Sequence, residues 1–348
     1  MKQFFKVVLC ALIVTFLLIP AGCGGSRETL NVFNWGDYID PQVLKDFEKE
    51  YNIRVVYEEF DTNEDMYVKI ANESGKFDVA IPSDYMIRRM INEDMLIPLD
   101  MSKIGNYGQI EDRFHHMPFD EDDRYSVPYM WGTVGILYNT TMVDEEDDIE
   151  SWDILWNPDY EKKIFMLNSM RDSIGITLKR LGYSLNTKEE REILEARDAL
   201  IAQKPLVLSY VGDEMKDKMV AGEAAMTVAW SGDAAACMSE NDDLAYVIPR
   251  EGSNIWVDSM VIPKTAQNVE AAHLFINYMC SPEVGLANAE YIEYASPIRA
   301  VREQLPPEVT EDIAFYPGVD DLQNSEVFED LSDTLVLYDR VWTEVLAQ

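Results

Sequence analysis

The sequence has few basic residues for its length, and this shortage excludes two classes of partner. Lys and Arg together number 29 among 348 residues, against 64 Asp and Glu, which gives a formal net charge of −35 at pH 7. Nucleic acids and anionic lipid surfaces bind proteins through basic faces. The charge balance therefore argues against both. It favours a cationic partner, whose encounter with the protein a negative field accelerates.

Cysteine and histidine are also scarce, with four and three residues respectively. Cys237 and Cys280 lie far apart and form no Cys-x-x-Cys motif, so we interpret them as small apolar core residues, with a disulfide as the less favoured alternative. No phosphate-binding loop, Gly-x-Ser-x-Gly or His-Glu-x-x-His motif is present. The histidines lack the spacing of a zinc site: His115, His116 and His273. The sequence thus predicts no metal and no cofactor.

The first residues have the pattern of a secretion signal. Lys2 and Lys6 precede an apolar run over residues 7–19, and small residues stand directly before Cys23. This pattern predicts a signal peptide over residues 1–22 and resembles a bacterial lipobox, whose cysteine carries the lipid. We therefore expect an extracytoplasmic protein anchored through Cys23. An uncleaved membrane anchor is less favoured, because the run is shorter than the ~20 residues that span a bilayer.

Strand and helix patterns alternate along the chain, and hydrophobic residues make up 47% of it. Strands are predicted at residues 30–34, 77–81, 164–167 and 225–229, each followed by a helical pattern, which is typical of parallel βαβ units in an α/β fold. Residues 127–138 break this alternation as a long extended run with two glycines, suited to a connection between two lobes. A final amphipathic pattern over residues 327–345 predicts one long helix.

Polar and aromatic residues cluster just past the predicted strand ends, where ligands bind in open α/β sheets. On the predicted strand at residues 254–263, Trp256 and Asp258 point to the same face because side chains alternate with period two. For any single Trp the alternative is ordinary core packing. For Asp172 and Asp233 it is a first-turn position facing the helix dipole. The candidate residues are Trp35, Asp37, Tyr38, Ser83, Tyr85, Asp172, Trp230, Asp233, Trp256, Asp258 and Tyr294.

Several carboxylates beside aromatic faces suit an aliphatic ammonium ligand. Carboxylates accept its N–H donors and balance its charge, and aromatic rings attract the cation and cover its methylenes. No basic residue recurs beside these acids in the sequence, which disfavours an anionic ligand. A quaternary amine or a neutral sugar remains an alternative. So does a secreted carbohydrate-active enzyme, since glycosidases use paired carboxylates.

Five motifs spread over nearly the whole chain resemble the spermidine/putrescine-binding proteins of bacterial ABC importers. These are Asn34-Trp35-Gly36-Asp37-Tyr38, Pro82-Ser83-Asp84-Tyr85, Ser126-Val127-Pro128-Tyr129-Met130-Trp131-Gly132, Ala229-Trp230-Ser231-Gly232-Asp233 and Trp256-Val257-Asp258-Ser259. The resemblance implies a type 2 periplasmic-binding fold with two discontinuous lobes joined by crossing strands. Residues 28–134 and 257–302 would form the first lobe, and residues 135–256 and 303–348 the second.

The resemblance also implies a monomeric receptor that catalyses nothing and passes a polyamine to an ABC permease. Asp258 would be the main anion for an amine, Asp172 would lie near one end of the ligand, and Ser83 would form a hydrogen-bonding wall. Asp37 and Asp233 match carboxylates of the putrescine-selective members. The aromatic residues would line the channel: Trp35, Tyr38, Tyr85, Trp230, Trp256 and Tyr294.

Three positions depart from the family pattern. Gly36 replaces a hydroxyl residue, Ser169 stands where the spermidine type has an acid, and Phe328 falls near its usual glutamine. These differences leave open whether putrescine or spermidine is preferred.

Overall fold

The computed structural model describes residues 27–348, so the predicted signal peptide and Cys23 lie outside the described residues. This part of the chain contains nine β-strands and twelve α-helices. None of its helices is both long enough and apolar enough to cross a bilayer. The strands and helices divide between two α/β lobes, as the sequence predicts.

The first-lobe sheet is built from parallel strands that the chain supplies early. β1 (Thr29–Trp35) lies between β2 (Arg54–Phe60) and β3 (Val79–Ala80). The helices that connect them are α1 (Pro41–Tyr51), α2 (Asn63–Asn72) and α3 (Asp84–Asn92). α1 begins where the sequence predicts, because the Asp40 carboxylate accepts a hydrogen bond from the Gln42 amide at 2.7 Å and Pro41 has no N–H that would need an acceptor.

One long strand joins the two lobes. The first half of β4 (Ser126–Asn139) pairs antiparallel with β9 (Ile255–Val261), from Ser126 opposite Val261 to Thr133 opposite Ile255. Its second half pairs with strands of the other lobe. β4 therefore belongs to both sheets, as the long extended pattern of residues 127–138 predicts.

The second-lobe sheet combines this half of β4 with four further strands. β5 lies between β6 and β7 in parallel pairs, and β7 and β8 both run antiparallel to β4. These strands are β5 (Ile164–Leu167), β6 (Val207–Val211), β7 (Met226–Trp230) and β8 (Leu244–Val247). The helices between them are α4 (Met170–Arg180), α5 (Glu190–Gln203), α6 (Met215–Val220) and α7 (Ser231–Glu240).

The last part of the chain forms five α-helices, which pack against the two lobes. They are α8 (Val269–Met279), α9 (Pro282–Ile292), α10 (Arg299–Arg302), α11 (Pro307–Thr310) and α12 (Leu335–Leu346). The prediction of one helix over residues 327–345 is wrong for residues 327–334, of which only Ser332–Thr334 form a short 3-10 turn. Glu326 instead forms a β-bridge with Asn254, and Ser332 has a left-handed φ of 50° that interrupts any helix.

A small apolar cluster lies in the second lobe, and a large apolar core spans both lobes and fills the space between the sheets and their helices. Its largest fully buried side chains include Trp131, Trp152 and Tyr338. The predicted role of Cys237 and Cys280 as core residues is confirmed, because both are buried and neither is in a disulfide. The polar groups buried beside this core form the candidate site.

Candidate functional site

The site lies where strand ends of the first lobe face helix starts of the second. β1 ends at Trp35, and α3 follows Ser83 in the first lobe. In the second lobe, α7 starts directly after Trp230, with Gly232 in its first turn. A Cβ added at Gly232 would lie 2.3 Å from the ring of Tyr294, which stands next to β4 in the first lobe. Glycine is therefore needed here for the two lobes to approach each other this closely.

Asp258 is one of three buried acids in the predicted set and is only 7% exposed. The Tyr38 hydroxyl donates to its Oδ2 at 2.9 Å, while its Oδ1 has no hydrogen-bond partner among the described residues. Burial raises the pKa of Asp258 to about 7, although the hydroxyls of Ser83 and Tyr38 act in the opposite direction. A buried carboxylate oxygen without a donor is costly, so this atom marks a place for a donor from outside the chain.

Asp172 repeats this arrangement from the second lobe. It lies in the first turn of α4 and is 6% exposed. The Ser169 hydroxyl donates to its Oδ2 at 2.6 Å, and its Oδ1 has no partner among the described residues. Burial raises the pKa of Asp172, although the Ser169 hydroxyl, the Arg171 charge and the side chains of Asn254 and Trp230 act in the opposite direction. The charge of Asp172 in turn raises the pKa of Asp258. We call Asp172 and Asp258 the first acid group, because each leaves one buried oxygen without a partner.

Aromatic rings form the walls beside this group. The rings of Tyr38 and Tyr294 meet edge to face with centroids 5.2 Å apart, and the rings of Trp256 and Tyr294 are 5.5 Å apart. Trp35 is held by a hydrogen bond from its indole N–H to the Ile81 carbonyl at 2.9 Å. Trp230 is half-buried at the start of α7. Tyr38, Tyr294 and Trp256 thus form one packed set of rings that contacts Asp258 through Tyr38.

Ser83 and Tyr85 lie on the first-lobe side, at the start of α3. Ser83 forms a β-bridge with Asp258, and its hydroxyl accepts a hydrogen bond from the Asn63 amide at 3.1 Å. The Tyr85 hydroxyl donates to Glu64 at 3.0 Å. These contacts fix the orientation of both side chains before any ligand arrives.

The position near the family's usual glutamine carries an apolar ring that packs on a buried cation. Phe328 meets Tyr85 edge to face at 6.1 Å, and the Arg171 guanidinium lies 4.3 Å from the Phe328 ring and 4.9 Å from the Tyr85 ring. Burial lowers the pKa of Arg171. The guanidinium donates to the Glu329 carbonyl and the Asn186 side chain. Arg171 thus fixes this end of the site.

A second set of acids lies at the opposite edge of the aromatic rings. The Tyr294 hydroxyl donates to Asp233 Oδ1 at 2.8 Å. Asp37 belongs to the loop after β1 and its side chain is 80% exposed, so it lies at the mouth of the cleft. Asp213 precedes α6, and a Cβ on Gly36 would lie 3.3 Å from its Oδ2. We call Asp37, Asp213 and Asp233 the second acid group.

The second acid group contains a lysine that the sequence does not predict. Lys216 Nζ lies 3.8 Å from an Asp37 oxygen and 3.7 Å from Asp233 Oδ1. The expectation that no basic residue stands beside the acids is therefore wrong. It fails because Lys216 is on α6, whose six residues show no predictive pattern and approach Asp37 only in the folded chain.

Charges within the second acid group influence one another strongly. Burial raises the pKa of Asp213 and of Asp233, and Lys216 partly counters both shifts. Burial alone would lower the pKa of Lys216, but Asp233, Asp213 and Asp37 outweigh it and the net pKa is raised. Lys216 is accordingly a cation at neutral pH.

One further buried acid, Asp84, is not among the predicted site residues, although it belongs to the motif Pro82-Ser83-Asp84-Tyr85. Asp84 accepts from the Tyr85 amide at 2.6 Å and from the Val257 amide at 3.3 Å, which links α3 to β9. Burial raises its pKa to about 8. Its position at the start of α3, a few residues after β3, was the available signal. Within residues 27–348 no three His, Cys, Asp or Glu side chains are placed to hold a metal ion.

Comparison with known proteins places the chain in a family. The sequence pattern of the bacterial extracellular solute-binding proteins matches residues 42–317. A spermidine/putrescine-binding periplasmic protein of Salmonella typhimurium is 32% identical, covering 100% of this chain and 99% of the relative. The counterpart of Escherichia coli is also 32% identical over the same shares.

Solved structures agree with the sequence relatives. A protein of Listeria monocytogenes assigned to a spermidine/putrescine ABC transporter superposes with a TM-score of 0.89 at 45% identity, covering 92% of this chain and 99% of that one. The substrate-binding protein of a Streptococcus pneumoniae spermidine/putrescine ABC transporter superposes with a TM-score of 0.80 at 43% identity, with the same coverage. The fold is that of type 2 periplasmic-binding proteins.

The relatives are substrate-binding proteins, and none of them supports the carbohydrate-active enzyme alternative. The match spans well over half of the sequence, and the two-lobed fold agrees with it. The chain therefore belongs to the bacterial extracellular solute-binding proteins.

Proposed function

We propose that the protein is an extracytoplasmic receptor that binds a polyamine between its lobes and delivers it to the permease of an ABC importer. One observation carries this proposal. Asp258 and Asp172 are both buried, and each has an oxygen without a hydrogen-bond partner among the described residues. A ligand with N–H donors and positive charge supplies what both atoms lack.

The surrounding rings match the rest of such a ligand. An aliphatic ammonium chain has apolar methylenes between its charges, and the faces of Trp256 and Tyr294 offer apolar, cation-attracting surfaces beside Asp258. A quaternary amine has no N–H to donate to the carboxylates. A neutral sugar leaves their charge unbalanced, which is costly inside a desolvated cleft. The polyamine names of the relatives support the same class of ligand.

Binding would proceed by closure of the two lobes around the ligand. We assign residues 28–134 and 257–302 to the first lobe and residues 135–256 and 303–348 to the second, with the hinge where β4 passes between the sheets. Asp258 comes from the first lobe and Asp172 from the second. A cation between them would therefore draw the lobes together, and the free acids would repel each other and favour opening.

The site residues fall into the same scheme. Asp258 and Asp172 would accept the amine donors, and Ser83 would add a hydroxyl wall. Asp37 and Asp233 would meet a cation at the far end. The channel would be lined by Trp35, Tyr38, Tyr85, Trp230, Trp256 and Tyr294.

Calorimetric titration of the purified protein tests this function. Putrescine and spermidine should both bind, with affinities within roughly a hundredfold of each other, or ~2.7 kcal/mol. Choline controls for a quaternary amine and an oligosaccharide for a neutral ligand, and neither should bind comparably. Tight binding of choline or of the sugar, with none of either polyamine, would contradict the proposal.

We further propose that Cys23 carries a lipid that tethers the monomeric receptor to the membrane. The support is the signal-like pattern of residues 1–22 directly before this cysteine. Cys23→Ser should then move the protein from the membrane fraction to the soluble fraction, with unchanged ligand binding, because the lipid acts only as a tether. Continued membrane association of this variant would indicate an uncleaved anchor instead.

A further inference from the structure

Lys216 places a fixed ammonium group inside the proposed polyamine cleft. It extends from α6 in the second lobe, and its side chain is 28% exposed. Its Nζ contacts Asp37 of the first lobe at 3.8 Å and Asp233 of the second at 3.7 Å. A flexible aliphatic chain ending in an ammonium between carboxylates has the same chemistry as one end of a polyamine.

The two acid groups differ in whether they hold such a cation. In the first acid group, the Oδ1 atoms of Asp258 and Asp172 have no partner among the described residues. In the second acid group, Asp233 has both the Tyr294 hydroxyl and Lys216 beside it. Within the described part of the chain, the first acid group therefore has no cation at ion-pair distance, whereas the second acid group already has Lys216.

The two groups belong to one continuous site. Tyr38 donates to Asp258 and packs edge to face against Tyr294, and Tyr294 donates to Asp233. Two aromatic rings thus separate the acids at the two ends. A ligand long enough to pass these rings would bring its far ammonium close to Lys216.

We propose that Lys216 is a specificity-determining residue, a resident cation that occupies the second acid group and limits the positive charge a ligand can bring into the cleft. This inference rests on the proposed function. Its physical basis is Coulomb repulsion between the fixed ammonium and each charge of the ligand. Because spermidine carries three charges and putrescine two, Lys216 weakens binding of the triamine more and shifts the preference towards the shorter diamine.

The opposite role is also testable. Because Lys216 contacts acids of both lobes, it could hold the closed form together, and its removal would then weaken binding of every ligand. The two roles thus predict changes of opposite sign.

The experiment compares Lys216→Gln with wild type by calorimetric titration of putrescine and spermidine. We expect Lys216→Gln to bind putrescine about threefold and spermidine about tenfold more tightly, as one unit charge removed at a distance of several ångströms allows. Lys216→Arg keeps the charge and should retain the wild-type ratio of the two affinities. Lys216→Met keeps the apolar stem and provides the same comparison if the Gln variant does not fold.

Lys218→Gln is the matched control, since it removes the same charge from the same helix. The Lys218 ammonium lies over the ring of Phe165, 5.5 Å from its centroid. Its removal should leave both affinities unchanged. An equal gain for both ligands in Lys216→Gln, or a loss for either, would overturn the inference. Wild-type protein that binds neither amine would instead contradict the proposed function, and the inference with it.

Discussion

The two acid groups of the cleft show two ways of keeping carboxylates in a poorly solvated place. The second group neutralises part of its charge internally, because Lys216 lies within 4 Å of both Asp37 and Asp233. The first group has no cation within ion-pair distance among the described residues. Burial raises the pKa of both Asp172 and Asp258, although the charge of nearby Arg171 lowers the pKa of Asp172. A group whose charge is balanced within the protein is stable without a ligand, whereas a group without such a cation gains stability when a cationic ligand binds. The contrast indicates which end of the cleft gains most when a cation binds.

The largest expected effect is the loss of binding when the first acid group loses its charge. Asp258→Asn keeps the shape of the side chain but removes the negative charge that an ammonium pairs with. We expect polyamine affinity to fall at least tenfold, since a charge-assisted hydrogen bond in such a place contributes about 1.5–3 kcal/mol. Titration calorimetry on the folded variant measures this. Wild-type affinity would show that Asp258 does not anchor the ligand.

The same substitution should stabilise the ligand-free protein. The folded state raises the pKa of Asp258 from 3.8 to about 7, so the folded protein holds a proton that the unfolded chain releases at lower pH. Folding stability therefore falls as pH rises through the window between these values, and the full cost is present above pH 7. At pH 8, Asp258→Asn should raise the free energy of unfolding by about 2 kcal/mol.

Denaturant unfolding at pH 8 and at pH 4 checks this expectation, because the gain should nearly vanish at the lower pH. A variant that is less stable than wild type at pH 8 would show that the Asp258 carboxylate is compensated in the free protein. Function and stability would then not conflict at this residue.

The smallest effect is expected in the second acid group. Asp233→Asn also removes a buried carboxylate charge, but Lys216 and Tyr294 already share that charge in the free protein. Putrescine affinity should therefore fall only about threefold, clearly less than in Asp258→Asn. Parallel titrations of the two variants measure the difference directly. Equal losses would erase the distinction between the two groups.

Local patterns were enough to predict most of the fold. β5 occupies the predicted residues 164–167, and α1 starts at Pro41 because its cap is encoded in adjacent residues. The prediction failed where long-range contacts decide the conformation. Residues 327–331 have helical spacing, yet the bridge between Glu326 and Asn254 draws the segment alongside another chain segment.

The site was predicted in part for the same reason. Asp172 lies in the first turn of the helix after β5, and Asp258 lies within β9 on the face that strand alternation predicts, so local patterns alone bring both to the cleft. The sequence could not reveal which oxygens of these acids lack a partner, because hydrogen bonding depends on side chains from both lobes. Nor could it reveal Lys216, whose distance from Asp37 is fixed only by the packing of one lobe against the other.

Proton release on binding tests the central claim that a ligand cation balances the first acid group. With a pKa of about 7, Asp258 is close to half protonated at pH 7 in the free protein, and a bound ammonium lowers that pKa. Putrescine titrations at pH 7 in two buffers of different ionisation enthalpy should show release of about half a proton per ligand, and Asp258→Asn should release less. Binding by wild type without proton release, or the same release from Asp258→Asn, would contradict the account.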